Sequence, residues 1–236
     1  MTHGIDHLSC ENPRVSRLQR LVGRLKKFHG AVPAPPSDPF ALFVWQVLFN
    51  HSTPKKRDAA VAGLKRLRAL TPDGMWNASP KALAGCVHRA GPFGEYRMMA
   101  LRKGVEVFRR DLDLPGALAG PVPAALRKLK VLPRMSGDGP AYCMLLFAGG
   151  QAVLPVNARV ARVATRLGYG EMASAFPKIA KSIRQAVAPE LGDRVAVYRD
   201  AYVYFEHHGS ATCTETDPAC DKCPLLKECS FGQTRL

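Results

Sequence analysis

The stretch Cys213–Cys229, CTETDPACDKCPLLKEC, carries four of the seven cysteines of this chain in the spacing C-x6-C-x2-C-x5-C. Four thiolates this close together can close on one soft metal centre, because thiolates select zinc or iron–sulfur clusters. Structural zinc sites usually pair two short C-x2-4-C turns, and only Cys220 and Cys223 form one here. The longer first and third spacings suit a cubane cluster, because its corners lie farther apart. The spacing therefore favours a [4Fe–4S] cluster held by Cys213, Cys220, Cys223 and Cys229.

A secreted disulfide framework and a zinc site are the alternatives to this cluster. The disulfide reading fits poorly, because seven cysteines in 236 residues are few and the first ten residues have no apolar signal core. No apolar run approaches the roughly 18 to 20 residues that span a bilayer. We therefore expect a cytoplasmic, nucleoid-associated protein that does not bind membranes.

The charge of the chain indicates a polyanionic partner. There are 34 Lys and Arg residues against 19 Asp and Glu residues, which gives a net charge of +15. This excess favours nucleic acid, with an acidic membrane surface as the second choice. The positive charge recurs along the chain rather than in one tail, which suits a folded groove.

Hydrophobic periodicity predicts an all-α protein with essentially no sheet. We expect a basic helix from about residue 55 to 70 with Ala59, Leu64 and Leu67 facing inward. The segments 71–74 and 115–123 read as a turn and a loose connection. A short basic helix, a glycine-containing turn at 132–139 and an apolar helix form a predicted helix–hairpin–helix at about 124–148.

Several short motifs follow one another in an order that is found in a known family. Leu132-Pro133 opens the hairpin, the segment 156–163 reads VNARVARV, and His208-Gly209 precedes Cys213. In order and spacing, over about residues 40–229, the chain resembles the endonuclease III and MutY DNA glycosylases. The cysteine spacing is highly specific for this resemblance, and the hairpin is moderately so.

The resemblance implies a two-lobed helix–hairpin–helix fold with an iron–sulfur cluster loop. Residues 1–38 would form an N-terminal helix and linker that pack with the cluster domain. Residues 39–150 would form a helical barrel domain that carries the hairpin, and residues 151–236 the cluster domain. Double-stranded DNA would lie in the groove between the lobes of a monomer.

The catalytic positions depart from the family pattern. Counting forward from Leu132 places Asp138 at the position of the family's hairpin lysine, and counting back from Asn157 places Gly139 there. Neither is an amine, so no Schiff base can form from this position. Asn157 stands where the family has an aspartate, and a neutral amide cannot act as a base.

Three explanations of this departure stay open. The chain is a non-catalytic DNA-binding relative, or a glycosylase with rearranged chemistry in which Asp138 supplies the carboxylate, or a mutant of an active enzyme. Asp138 also has an ordinary reading, because Asp between two glycines is common in turns. In each case we expect an endonuclease III-like protein of base excision repair without lysine-based lyase activity. An iron–sulfur electron carrier that ignores DNA is a further class, and the charge argues against it.

Candidate DNA contacts fall into three groups. The hairpin, with Arg134, Gly137 and Gly139, would grip a phosphate through backbone N–H groups, and its glycines would allow positive φ. Arg159 and Arg162 begin a basic stripe beside the presumed cleft, which would contact phosphates or remain a solvated face. The third group stands where similar enzymes push side chains into the duplex to replace a flipped base, and it comprises His51 and Phe93.

Overall fold

The computed structural model describes residues 15–49, 51–110 and 113–235, apart from the side chains of residues 114, 115 and 138. Within these ranges the chain forms thirteen α-helices and no strand, so the all-α prediction is confirmed. The helices are α1 Arg17–His29, α2 Pro39–Phe49, α3 Pro54–Arg66, α4 Pro72–Asn77, α5 Pro80–Val87, α6 Gly94–Arg110, α7 Leu114–Ala119, α8 Val122–Leu129, α9 Asp138–Cys143, α10 Ala158–Arg166, α11 Phe176–Leu191, α12 Val195–Ala211 and α13 Ser230–Gln233.

Proline and a capping side chain define several helix starts. The Thr53 hydroxyl accepts a hydrogen bond from the Lys56 N–H, and Pro54 begins α3. Such starts follow from chemistry, since proline at the first helical position loses no hydrogen bond and a threonine oxygen satisfies an exposed N–H. In α3 Leu64 is buried and the C-cap Leu67 is half-buried against the core, as expected, whereas Ala59 is exposed and its neighbour Ala60 is buried instead.

Two segments expected to be irregular are helical. Thr71 caps α4 by accepting from the Gly74 N–H, so the predicted turn is the first turn of a helix. Asp113 caps α7 in the same way by accepting from the Gly116 N–H, so part of the predicted loose connection is also helical.

The helices pack in two groups that meet at the hairpin helix. In one group α2 contacts α3 and α6, and α4 and α5 also lie against α6. In the other, α12 contacts α1 and α10, and α11 contacts both α1 and α10. The helix α9 continues through a π-helical turn, Met144–Ala148, which contacts both α2 and α12. The division into segments 1–38, 39–150 and 151–236 stays a prediction.

The hairpin joins α8 to α9. Leu132 and Met135 are buried and anchor the turn, and Gly137 precedes α9 with φ −101°. The residue with positive φ in this turn is Arg134, at 67°. Our expectation that Gly137 and Gly139 supply the positive φ was therefore wrong, because Gly139 lies within α9 and Gly137 is extended.

The crossing of α10 and α12 is close because Gly209 has no side chain. A Cβ atom on Gly209 would lie 2.9 Å from both Cβ and the carbonyl oxygen of Arg159. This close approach brings the end of α12, and with it the cysteine loop, against α10. No helix in the described part of the chain is long and apolar enough to cross a bilayer.

Candidate nucleic-acid interface

The four cysteines of the C-terminal loop line one cavity. Cys213 lies just after α12, Cys220 and Cys223 flank a single 3-10 turn, and Cys229 caps α13 by accepting from the Gly232 N–H. The cavity wall is otherwise largely apolar and includes leucine and phenylalanine side chains. The structure thus brings all four predicted ligands to one place.

Two basic side chains hold this loop. Arg166 of α10 donates to the Cys213 sulfur at 3.2 Å and to the Thr214 carbonyl at 2.9 Å, and its guanidinium lies 3.8 Å from the centroid of the Phe231 ring. His208 is buried, and its Nε2 lies 3.6 Å from the Cys223 sulfur. This contact places His208 where it can orient the loop.

The thiols lie in an environment with opposing effects on their charge. Burial raises the pKa of the Cys213 and Cys223 thiols. The Arg166 guanidinium lowers the pKa of Cys213, and the Leu225 N–H lowers that of Cys223, so both effects partly offset burial. These donors favour the thiolate form, which is the form that binds soft metals.

The fit of this donor set to a metal centre depends on the size of the centre. In the part of the chain that the structure describes, no three His, Cys, Asp or Glu side chains are grouped as a single metal ion requires. A zinc ion holds each sulfur at about 2.3 Å and draws all four together. The four thiols line one cavity, and whether they hold a metal centre stays a prediction.

Asn157 and Gly139 face each other across the hairpin. The Asn157 side-chain oxygen accepts from the Arg159 N–H at 3.0 Å and the Val160 N–H at 2.9 Å, so this residue is the N-cap of α10. A Cβ atom on Gly139 would lie 3.4 Å from Asn157 Cβ and 3.5 Å from the Val156 carbonyl oxygen. These contacts place the Gly139 position of the hairpin beside Asn157.

Asp138 begins α9, and its side chain lies outside the part that the structure describes. Whether it supplies a carboxylate therefore stays a prediction. Asn157 has its oxygen committed to two N–H groups of its own helix, and Gly139 has no side chain. At these two positions the site contains neither an amine nor a carboxylate.

The arginines of α10 already have protein partners. Arg159 forms an ion pair with Glu206 and lies over the Phe49 ring at 5.5 Å. Arg162 donates from Nε to the Cys213 carbonyl at 2.8 Å and from NH2 to the Gly209 carbonyl at 2.6 Å. Contact of Arg159 and Arg162 with DNA stays a prediction. The observed partners of Arg162 brace the start of the cysteine loop, whereas those of Arg159 lie on α12 and α2.

Replacing Arg162 tests whether this residue braces the cysteine loop or contacts DNA. Arg162→Ala leaves two half-buried carbonyls without their charged donor, so we expect the free energy of unfolding to fall by about 2–3 kcal/mol. We also expect less iron per chain after purification, measured by iron analysis and thermal unfolding. Arg162→Lys keeps the charge but cannot serve both carbonyls, so it should resemble alanine. Normal stability of both variants with weaker DNA binding of the alanine form alone would contradict bracing.

His51 and Phe93, the two predicted insertion positions, lie against each other. Their ring centroids are 5.2 Å apart at an interplanar angle of 62°. Both residues are exposed, so neither is a core side chain. Tyr96 and Arg97 lie beside them and were missed by sequence reasoning. Both residues lie in the first turn of α6.

Comparison with solved structures finds the same fold in DNA glycosylases. A non-covalent endonuclease III–DNA complex matches with a TM-score of 0.69 and 18% identity, over 92% of this chain and 96% of that one. A thermostable thymine-DNA glycosylase matches at 0.66 and 16%, over 92% and 95%. The 8-oxoguanine glycosylase/lyase of Clostridium acetobutylicum in complex with DNA matches at 0.61 and 16%, over 81% and 67%. A scan against protein-family models finds no match.

These likenesses identify the fold. The chain has the helix–hairpin–helix DNA glycosylase fold, and the two-lobed all-α class expected from the sequence is confirmed. At 13–18% identity the matches concern the arrangement of helices and leave the chemistry of this chain to its own residues.

Proposed function

We propose that this chain is an endonuclease III-like DNA-binding protein of base excision repair. It recognises a damaged or mismatched base in duplex DNA, and it acts as a monomer associated with the nucleoid in the cytoplasm. The observation that carries the proposal is the match, over 92% of the chain, to the fold of an endonuclease III bound to DNA. A net charge of +15 supports a polyanionic ligand independently of the fold.

The chemistry we propose is non-standard N-glycosylase activity or none. Lysine-based lyase activity needs an amine at the hairpin, and Gly139 provides none beside Asn157. Asn157 is a neutral helix cap, so base activation would require another carboxylate. The alternative is a protein that binds lesions or DNA structure without cutting. The observation that favours it is that the side-chain oxygen of Asn157 already accepts from two backbone N–H groups.

We propose that Cys213, Cys220, Cys223 and Cys229 hold a [4Fe–4S] cluster. Four thiols on one cavity, three of them with charged or N–H donors, support it. The cluster supplies a cross-link among four points of a loop that has little regular structure. The protein's contribution is orientation, through Arg166 on Cys213 and His208 on Cys223.

A panel of duplexes that each contain one lesion or mismatch tests the function. Release of any base, measured by chromatography of the free base and abolished in Asp138→Ala, supports rearranged glycosylase chemistry. Lesion-selective binding without release supports the alternative. Affinity for either kind of ligand should fall by about 10³–10⁵ between 50 and 200 mM salt if 6–10 phosphates are contacted. Salt-independent or absent binding would contradict both.

A further inference from the structure

Backbone strain is concentrated around one surface pocket. In the described part of the chain four non-glycine residues have positive φ, and three of them line this pocket: His51 at 55°, Phe93 at 66° and Arg134 at 67°. The fourth, Arg68 at 55°, lies at the end of α3 and does not line the pocket. A positive φ is unfavourable for every residue except glycine, and residues held in such conformations tend to cluster at functional sites.

The pocket lies where the end of α2, the loop before α6 and the hairpin meet. Its volume is about 310 Å³, which is within the range of small-ligand sites, and it is lined by Val47, His51, Phe93, Tyr96, Arg97 and Arg134. Phe93 and Tyr96 are 59% and 56% exposed, so the protein core does not account for their aromatic rings.

His51 and Phe93 pack edge to face against each other and form one wall. The wall is held by a close backbone approach, since a Cβ on Gly91 would lie 3.2 Å from the His51 carbonyl oxygen. Arg97 is 2% exposed and donates to the Gly91 and Pro92 carbonyls, which fixes the loop that carries Phe93. Two free insertion wedges would not need this mutual packing.

The pocket carries positive charge and no acidic lining residue in the described part of the chain. The Arg134 guanidinium lies 5.1 Å from the centroid of the Tyr96 ring. Its Nε is buried, and no described group hydrogen-bonds it. Burial, and then the charge of Arg134, lower the pKa of Arg97. An anion beside the half-buried guanidinium of Arg134 would relieve the repulsion between the two guanidinium groups.

We propose that this pocket holds one unpaired nucleotide of the DNA, with the base against the rings of His51, Phe93 and Tyr96 and a phosphate on Arg134. The inference rests on the proposed function and deepens it. Neither Gly139 nor Asn157 lines the pocket, so the nucleotide is held apart from the positions of the family's chemistry. The strain at three side chains is the cost of presenting them to this ligand.

Two duplexes that differ by one base provide the test. Both contain a single bulged nucleotide, which carries adenine in one and a tetrahydrofuran abasic residue in the other, so their backbones match. Stacking of one base on aromatic side chains predicts about tenfold tighter binding of the adenine bulge, measured by fluorescence anisotropy. With 2-aminopurine in the bulge, we expect quenched emission on binding. Equal or tighter binding of the abasic bulge overturns the proposal in favour of insertion wedges.

Glycine variants test the pocket without endangering the fold, because glycine relaxes a positive φ. His51→Gly and Phe93→Gly should reduce the preference for the adenine bulge to about twofold or less. Arg134→Gly should weaken binding of both bulged duplexes relative to a fully paired duplex. All three should keep or raise Tm. The matched control Arg68→Gly removes an arginine from the same backbone conformation and should keep the preference.

The outcomes separate this inference from the proposed function. If the wild type selects lesion duplexes but Phe93→Gly leaves the bulge preference unchanged, the pocket assignment is wrong and the proposed function stands. If the wild type binds no duplex, paired or damaged, at low salt, both are wrong.

Discussion

Replacing Cys223 by serine should remove most of the iron from the purified protein and release its C-terminal segment. Between residues 213 and 235 the buried residues are Pro218, Leu225, Cys229 and Gly232, which is too little apolar area to hold this segment by itself. Its helical pieces are two 3-10 turns and the four-residue α13. Loss of a structural metal centre is among the largest single-residue effects, so we expect at least about 4 kcal/mol of destabilisation.

Iron analysis, visible absorbance and limited proteolysis measure this effect together. The wild type should be coloured and resist cleavage after α12, whereas Cys223→Ser should be pale and lose the segment within minutes of protease treatment. Cys86→Ser is the matched control, since Cys86 is half-buried against Gly63 on another part of the molecule. It should keep its iron. A colourless wild type, or a zinc content of one ion per chain, would exclude the cluster.

The gathering of the four cysteines around one cavity could be predicted because its information is local, whereas the cluster itself stays a prediction. Ligand type and spacing decide what the loop can bind, and both are printed in the sequence. The helix order was predictable for the same reason, from apolar periodicity and capping residues. Asn157 illustrates this well, because an asparagine ahead of an apolar repeat is a helix cap in the sequence and in the structure.

Two helix starts were misread because the same residues serve two purposes. Thr71-Pro72-Asp73-Gly74 has turn composition, yet a threonine oxygen that accepts from the residue three positions later also begins a helix. The burial of Met75 decides the outcome, and burial depends on the distant α6. The sequence also contained a signal for the start of α7, since Asp113 is a capping residue type and a proline stands two positions after it. We did not weigh this signal.

The basic stripe of α10 shows a limit of hydrophobic periodicity, which tells which residues share a helix face but not what packs on that face. It placed Arg159 and Arg162 on one face of α10 but could not say what covers that face. The close crossing at Gly209 brings the end of α12 and the cysteine loop there, and the loop carbonyls accept from Arg162. Similarly, positive φ at Arg134 was assigned to the hairpin glycines, because sequence composition indicates where strain is tolerated and not where the fold imposes it.

Introducing a lysine at position 139 and an aspartate at position 157 should create a lyase. In Gly139→Lys/Asn157→Asp, the new amine and carboxylate lie side by side, because a Cβ at residue 139 falls 3.4 Å from that of residue 157. The amine can attack C1′ of an abasic sugar with loss of water, and borohydride then reduces the imine to a stable bond. We expect covalent complexes on an abasic-site duplex to rise at least about a hundredfold over the wild type, measured by gel electrophoresis.

Both replacements suit the local structure, so stability should not confuse the result. Aspartate caps a helix as well as asparagine does, so Asn157→Asp should change stability by less than about 0.5 kcal/mol. Gly139 lies in the first turn of α9 with negative φ, where lysine is acceptable and gains helix propensity over glycine. Asn157→Asp alone should trap nothing, because it lacks the amine.

The matched control moves the amine without removing it. Gly137→Lys/Asn157→Asp places a lysine two residues earlier, where a Cβ would meet only Pro140 Cδ at 3.5 Å. If both double variants trap DNA equally, the amine reacts without positioning and the assignment of residue 139 is wrong. If neither traps DNA although both bind the abasic duplex, the groove does not bring the sugar to this hairpin. In that case the missing lysine and aspartate reflect a changed mode of DNA binding rather than a lost reaction.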